Sequence, residues 1–527
     1  MARTAALALA FLALMAGPAQ ATTFPVVVVP GFALEDLEGV EDVSAVGLLN
    51  PGAGPETSRA LAEASLVRGA VRNSLRGGGP EGAPLLVPRR GALGSVAGPA
   101  IYVGLPTGGR QPNDRRYPIA VVGPGFRGLL TSESTRIPGL VSIADVAPTA
   151  LGREGTLGSE PADDAVAELR ALDERIDENN GARLPATILV CVLLLALAAL
   201  RPAAGVPALA AALLANLALG LAGVSGLWPV LLVLAAAVLL GGPLLERILP
   251  RPLALGAALT AVVGAYLLAL GIEGPSVALS PFGPTQNSRY FGLSNLLETL
   301  LLLPALAGAA LLRPRLGWGA FAGVALLAFA AVAGTRFGAD GGGGVVLAAG
   351  FAVLAVLLAG GGRRALLAAV GAALALALAL VGLDAATGAS SHVTRAVADG
   401  PGGLAADLAE RVELSWERAT SSAYVALAVV ALLVLLGWLV VRTLRREEPL
   451  AERAVPLALA AALGASLVVN DSPTDVLLVG VACYGVAAAG MLPARWHAFS
   501  SSPSPPSRSW SRPAAAAETR PSPRPRP

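Results

Sequence analysis

Lysine is absent from this 527-residue chain, so all 38 of its basic side chains are arginine. Together with abundant Ala, Gly and Pro, that reads as a GC-rich coding sequence rather than as chemistry. Charge of either sign is scarce. Charged residues make up 14% and hydrophobic residues 54% of the chain, where a soluble domain carries about 25% charged residues. The deficit points to lipid. A formal net charge of +2 excludes the basic field that a nucleic-acid partner requires. Histidine occurs only as His392 and His497, and cysteine only as Cys191 and Cys483. Those counts and positions exclude a zinc centre of Cys and His. Both cysteines lie in apolar runs and read as small helix-facing or lipid-facing residues, so whatever precedes residue 191 folds without a disulfide. Nothing in the composition calls for a cofactor or a metal.

The chain opens with Arg3, a short apolar run and the triplet Ala19-Gln20-Ala21. Residues 1–21 are therefore expected to be a signal peptide with an A-x-A cleavage site, or else an uncleaved anchor, and either one exports the next segment. Residues 22–160 are rich in Gly and Pro with short β-branched runs. The runs at 24–29 and 117–123 suit buried strands of a parallel sheet, because continuous apolar runs fit strands covered on both faces. A helical stretch at 58–71 lies between them, and the whole is expected to be a small extracytoplasmic α/β domain. Residues 161–185 come next as a charged linker helix with acids in its first turn, where the helix dipole favours them.

From residue 186 to 495 the pattern becomes long apolar runs. Spans are expected near 186–201, 204–223, 227–243, 252–271, 295–312, 317–334, 344–360, 365–383, 421–441, 454–470 and 475–493, each close to the roughly 20 residues that cross the hydrocarbon core. The fold class is thus an α-helical polytopic membrane protein of about eleven transmembrane helices, preceded by the α/β domain. With the first span entering from outside, the cytoplasmic loops hold twelve arginines, among them Arg201, Arg247, Arg313, Arg446 and Arg453. The outer loops hold only Arg289, Arg336, Arg395, Arg411 and Arg418. This positive-inside bias agrees with the signal peptide and puts the protein in the cytoplasmic (inner) membrane with its C-terminus in the cytoplasm. The Ser/Pro/Arg-rich tail, 496–527, cannot bury a core and is expected to be disordered.

The stretch 128–152, with Asp145, Ala147, Pro148 and Thr149 in a D-x-A-P-T pattern, resembles the closing segment of alkaline-phosphatase-superfamily domains. Residues 26–37 resemble the first strand and turn of the same fold. The resemblance implies two-metal phosphoryl or sulfuryl transfer, with Asp and His ligands and a Ser or Thr nucleophile. This sequence departs from it. Pro30-Gly31 stands where the family has a metal-binding aspartate, and residues 22–180 contain no histidine. Thr57 sits roughly where the nucleophile would be, but it reads rather as a helix N-cap satisfying free backbone N–H groups. Asp36, Asp42 and Asp114 are of the type that ligates Mg²⁺, but nothing in the sequence fixes them together. The domain reads as a shortened, metal-free relative, a pseudoenzyme that binds or scaffolds. The order of parts is similar to that of ethanolamine-phosphate transferases, an architectural likeness only.

The remaining polar residues gather in the outer loops. They are Asn287, Arg289, Tyr290, Asn295 and Glu298 before and within the fifth span, then Arg336, Asp340 and the glycines Gly341, Gly342, Gly343 and Gly344. His392 and Arg395 lie in the longest loop, and Asn470, Asp471, Ser472 and Asp475 in the last. A charge at membrane depth costs about 2.5–3.5 kcal/mol on insertion scales, so retained charges there point to a working site, the alternative being ordinary caps and snorkelling. The glycines allow a nest of N–H groups for an anion. Arg289, Gly292, Asn295, Arg336 and His392 resemble the elements of the O-antigen ligase and polymerase family. That resemblance implies arginines holding a lipid-linked diphosphate, with His392, Asp340 or Glu298 as base. A wider resemblance, carried by the 129–139 motif, the Arg289–Asn295 element and the glycine and Asn470-Asp471 loops, is to a family of bacterial multi-pass membrane proteins and implies no activity. Three functions are compatible with these features. The first is an envelope-biogenesis protein with a degenerate ectodomain and an outward polar site for an anionic envelope polymer or lipid-linked glycan. The second is a lipid-linked glycan transferase, and the third a transporter or flippase. The expected ligand contacts are Arg289, Asn295, Arg336, Gly341, Gly342, Asn470 and Asp471, and the expected setting is the lipid bilayer.

Overall fold

The computed structural model describes residues 23–40, 44–153, 157–284, 290–334, 336–338, 341–362, 364–365, 367–369, 371 and 400–490. The signal segment, the tail, Asp42, most of the 365–383 span and the site candidates Arg289, Asp340 and His392 lie outside the described residues.

Residues 23–160 build an α/β sheet domain from β1 (Val26–Val28), β2 (Ser44–Asn50), β3 (Glu56–Thr57), α1 (Arg59–Arg68), β4 (Arg89–Arg90), β5 (Ala100–Val103), β6 (Gln111–Pro112), β7 (Tyr117–Val122), β8 (Gly128–Ser132), β9 (Leu140–Ser142), α2 (Val146–Ala150) and β10 (Leu157–Glu160). The main sheet runs β10-β8-β2-β7-β5-β1-β4, with β9 also on β2, and β3 pairs β6 separately. Alternation within the apolar runs sorts side chains to two covered faces. Val27, Val46, Tyr102, Ala120 and Leu140 lie on one, and Val28, Ala45, Ile101, Ile119 and Val141 on the other with Ala62 and Leu66 of α1 and Val146 of α2. β1 is parallel to both its neighbours, as its sequence suggests. β7 is not. It runs antiparallel to β2 and β5, because a continuous apolar run reports that both faces are covered and says nothing of strand direction.

The first face is covered by Val166, Leu169 and Ile176 of α3 (Ala165–Leu200). This 36-residue helix is about 54 Å long at 1.5 Å per residue. The charged linker and the first span are therefore one helix, which packs under the sheet and then enters the apolar bundle. Beyond it come α4 (Pro202–Leu221), α5 (Leu227–Ile248, with a π turn at Ala237–Gly241), α6 (Pro252–Ile272), the short α7 (Gly274–Ala278), α8 (Asn295–Ala333), α9 (Gly341–Ala359), α10 (Gly400–Ala419), α11 (Ala423–Leu444), α12 (Ala454–Val469) and α13 (Pro473–Gly490). Eight of these helices are long and apolar enough to cross a membrane, and α12 is a shorter apolar one. Straight, the 39 residues of α8 would reach about 58 Å. The backbone instead breaks at Gly317, φ 77°, and the limbs fold back so that the Leu293 N–H donates to the Gly338 carbonyl at 3.2 Å.

The helix ends sort into two groups. At the ends away from the sheet domain, Arg201 pairs with Glu246 at 2.6 Å, Arg313 stacks 4.3 Å from the Trp318 ring, and Arg446 donates to the Ala488 carbonyl. The loops rich in other polar residues are at the sheet-domain end. Between them, buried Asn216 receives the Phe282 N–H and donates to Tyr266 Oη and Ser280 Oγ, each at 3.1 Å. That satisfies the polar loop after α7, which would otherwise be costly inside the bundle.

Candidate functional site at the sheet-domain helix ends

The sheet domain is fastened to the helices through residues of both. Tyr290, from the loop before α8, and Ala278, the last residue of α7, are buried in the domain's own core beside Leu37 and Ile176. Burial pushes the Tyr290 hydroxyl up. Arg116 ties β7 to α3 through Asp173 at 2.5 Å and Asp177 at 2.6 Å. Burial works against its charge, and the two carboxylates more than offset that, leaving Arg116 above its ordinary value. Farther along the same helix, Arg175 and Asn179 donate to the Gly220 and Leu279 carbonyls at 2.6 and 2.8 Å, and Arg183 to the Gly283 carbonyl at 2.6 Å.

The 128–152 motif shapes the other attachment. Ser132 and Ser134 donate to the Asp145 carboxyl at 2.5 and 2.6 Å, and Thr135 Oγ1 donates to the Leu140 carbonyl. Gly139, φ 81°, leaves no room for a side chain because a Cβ would come within 2.7 Å of Leu169. The loop so formed holds Arg136 at φ 55°, the single positive value outside glycine among the described residues. From there its guanidinium lies 4.2 Å from the Phe291 ring centroid and donates to the Arg336 carbonyl at 3.4 Å.

Beneath this junction the polar residues of the first turn of α8 and of the turn between α12 and α13 converge. Glu298, in the first turn of α8 and 1% exposed, accepts from Asn470 Nδ2 at 3.2 Å, and that amide also donates to Ser466 Oγ at 2.8 Å. Asn295 Nδ2 donates to Asp471 Oδ1 at 3.1 Å. Arg418 of α10 completes the group, reaching Asp471 Oδ2 at 3.1 Å and Ser472 Oγ at 2.8 Å.

The sequence-predicted residues are thus distributed unevenly. Glu298, Asn295, Asn470 and Asp471 come together. Gly342, Gly343 and Gly344 do not form a nest for an outside anion. They are the helical first turn of α9, without positive φ, and a Cβ on Gly343 would overlap Val332 and lie 2.9 Å from Glu298 Cδ. The group facing that helix terminus is the protein's own Glu298 carboxyl. Gly341 begins the same turn. Gly292, φ 79°, serves a close approach, its Cα facing the Gly338 carbonyl where a Cβ would collide. The Arg336 side chain is exposed. Arg183 and Arg418 were not singled out from the sequence. Their signal was arginine within one helical turn of an expected span's end; Arg418 entered only as a loop charge, and Arg183 fell within the expected linker helix.

In the sheet domain, Thr57 is not an N-cap. It is buried in β3, and Ser58 caps α1, accepting from the Leu61 N–H at 3.2 Å. Asp36 accepts from its own turn at the Ala33 N–H. Asn113 fastens the loop after β2, donating to the Gly52 and Gly54 carbonyls at 3.0 Å. Among the described residues no three His, Cys, Asp or Glu side chains gather as metal ligands would. Comparison with known proteins places the chain beside no relative, since no family model, no curated protein and no solved structure matches it.

Proposed function

We propose that this chain is an envelope-biogenesis protein of the bacterial cytoplasmic membrane whose exported domain does no chemistry. With the outer helix ends, that domain forms an outward-facing site for an anionic polymer or lipid-linked envelope component. In this reading residues 1–21 are the signal peptide, about eleven spans come after the exported domain, and the C-terminus is cytoplasmic. The observation that carries it is the junction itself. Arg136 of the sheet domain meets Phe291 and Arg336 of the helical part, so two arginines stand where both halves face outward. The absence of histidine from residues 22–180 supports a binding rather than a hydrolytic domain, and so does the use of Asp36 in its own turn.

A bidentate contact to phosphate or carboxylate needs the planar guanidinium, whereas an arginine that merely snorkels to water can be lysine. Complementation of a deletion strain by Arg336→Lys and Arg336→Ala, with protein levels matched, separates the two. Loss of function in both variants supports the anion site. Full function of the lysine variant rejects it.

A further inference from the structure

The buried pair Glu298–Asn470 lies just behind the 469–472 turn, and α10 is laid across that turn from outside. Three of its side chains hold it there. Arg411 donates to the Val469 carbonyl at 3.4 Å, Ser415 to the Asn470 carbonyl, and Arg418 to the Asp471 carbonyl, Asp471 Oδ2 and Ser472 Oγ. Leu414, 8% exposed, packs inward between them, while Val412 and Trp416 face out at 46% and 70%. The other grip on α10 comes from the sheet domain. Arg76, 20% exposed, pairs with Glu410 at 3.0 Å and with Glu413 at 2.9 Å. No other ion pair joins the sheet domain to α10 among the described residues.

The two grips differ in strength. The inner contacts are to the buried Asn470 carbonyl, to two part-buried carbonyls and to a part-buried carboxylate. The outer ones end on glutamates whose side chains are 45% and 60% exposed, the class of ion pair worth about 0–1 kcal/mol apiece. Between α10 and the helix that continues the chain, α11, lies only the short Thr420–Ser422 turn. An element held on one side by exposed ion pairs alone opens locally at that side at low cost.

We infer that α10 is a strap, held closed over the Asn470–Asp471 turn by Arg76 of the exported domain, so that displacement of that domain opens the Glu298–Asn470 pair to the outside. The exported domain thereby regulates access to the outward site. This biological purpose rests on the function proposed above, whereas the strap itself does not.

The test is labelling of a cysteine placed under the strap. Ser466→Cys is a conservative change at a position 1% exposed and bonded to Asn470. The native Cys191 and Cys483 are buried in the bundle, and the parent chain supplies their background. Full-length protein in lipid vesicles is treated with a membrane-impermeant maleimide. Arg76→Glu, which turns two attractions into repulsions, is expected to raise the labelling rate at position 466 about tenfold, the effect of roughly 1.4 kcal/mol on an opening equilibrium. The charge-swapped chain carrying Arg76→Glu with Glu410→Arg and Glu413→Arg is expected to return to the slow rate. An unchanged rate in Arg76→Glu overturns the strap. Fast labelling that the swap does not reverse also overturns it, because the substitution then acts by disturbing the fold rather than by charge. If the strap behaves as expected while Arg336→Lys supports full growth, the gate stands and the anion reading falls.

Discussion

Asp145 offers the sharpest test of how the sheet domain is held. Its side chain is 7% exposed and receives two hydroxyl bonds, from Ser132, itself 6% exposed, and from the exposed Ser134. A hydrogen bond to a charged group is worth about 1.5–3 kcal/mol. Asp145→Ala removes both and leaves the Ser132 hydroxyl buried without its acceptor, while Ser134 regains water, so about 3–4 kcal/mol is expected. Ser132→Ala should cost about 2 kcal/mol and Ser134→Ala about 1 kcal/mol, since only the buried hydroxyl is irreplaceable by solvent. Burial pushes the Asp145 carboxyl above its ordinary value, with the two serines pulling the other way. The folded state therefore holds this proton more tightly than the unfolded chain does. Its stabilising contribution is complete below the unfolded value, near 3.9, and is lost as pH rises through the folded one. Hydrogen exchange of the β8 and β9 amides in the full chain, expressed as protection factors, reads both effects. Protection should fall about a hundredfold or more in Asp145→Ala, by the tenfold-per-1.4 kcal/mol conversion. The pH step should vanish in Asp145→Asn. Equal protection in all three alanine variants, or an unaltered pH step in the asparagine variant, would refute the reasoning.

Close approaches in the helical part and at the junction lead to two further outcomes. Gly343→Ala should destabilise by about 1–3 kcal/mol as an overpacked position, because its Cβ meets Val332 and Glu298. Gly344→Ala, whose Cβ would be 3.2 Å from that of Ala333, should be mild. Equal melting temperatures of the two variants in detergent would contradict this. Arg136→Lys should loosen the junction nearly as much as Arg136→Ala, by the ~1 kcal/mol of a ring-stacked guanidinium. A severalfold rise in amide exchange over 291–293 would record it, and wild-type exchange in the lysine variant would show that the ring contact is dispensable.

What the sequence made legible was whatever depends on neighbouring residues. Covered strands showed as apolar runs in β1 and β7, and the break in α8 showed as the Arg-Pro-Arg stretch just before Gly317. Strand direction was hidden, because β7 would carry the same side chains either way. The division between a charged linker and a first span was a change of composition that the backbone of α3 does not share. At the sheet-domain end of the helices the sequence singled out the polar loops but could not pair them. Asn295 meets Asp471 across 176 residues, and Glu298 meets Asn470 across 172. Nothing local distinguishes a carboxyl awaiting a ligand from one already bonded to a distant asparagine. The glycine run is the same case. Four glycines permit a nest, and only the positions of Glu298, Val332 and Ala333 reveal that Gly343 and Gly344 are small because α8 is close.

That pairing changes which residues are available to a ligand. Glu298, Asn295, Asn470, Asp471 and Arg418 bond one another, so a ligand reaching them must displace a bond already made and gains only the difference. Arg183 and Arg411 hold backbone carbonyls, and Arg136 is spent on the junction. Among the described arginines at the outer ends, Arg336 is the one whose guanidinium is exposed and whose backbone alone is used to fasten the sheet domain. An anion met there displaces water rather than a protein partner. Substitution of Arg336 should therefore weaken binding without altering the fold, whereas substitution of Asp471 or Arg418 should disturb α10 and the helix ends together. Equal structural damage from both kinds of variant would mean that the outer face is one structural network with no site set apart in it.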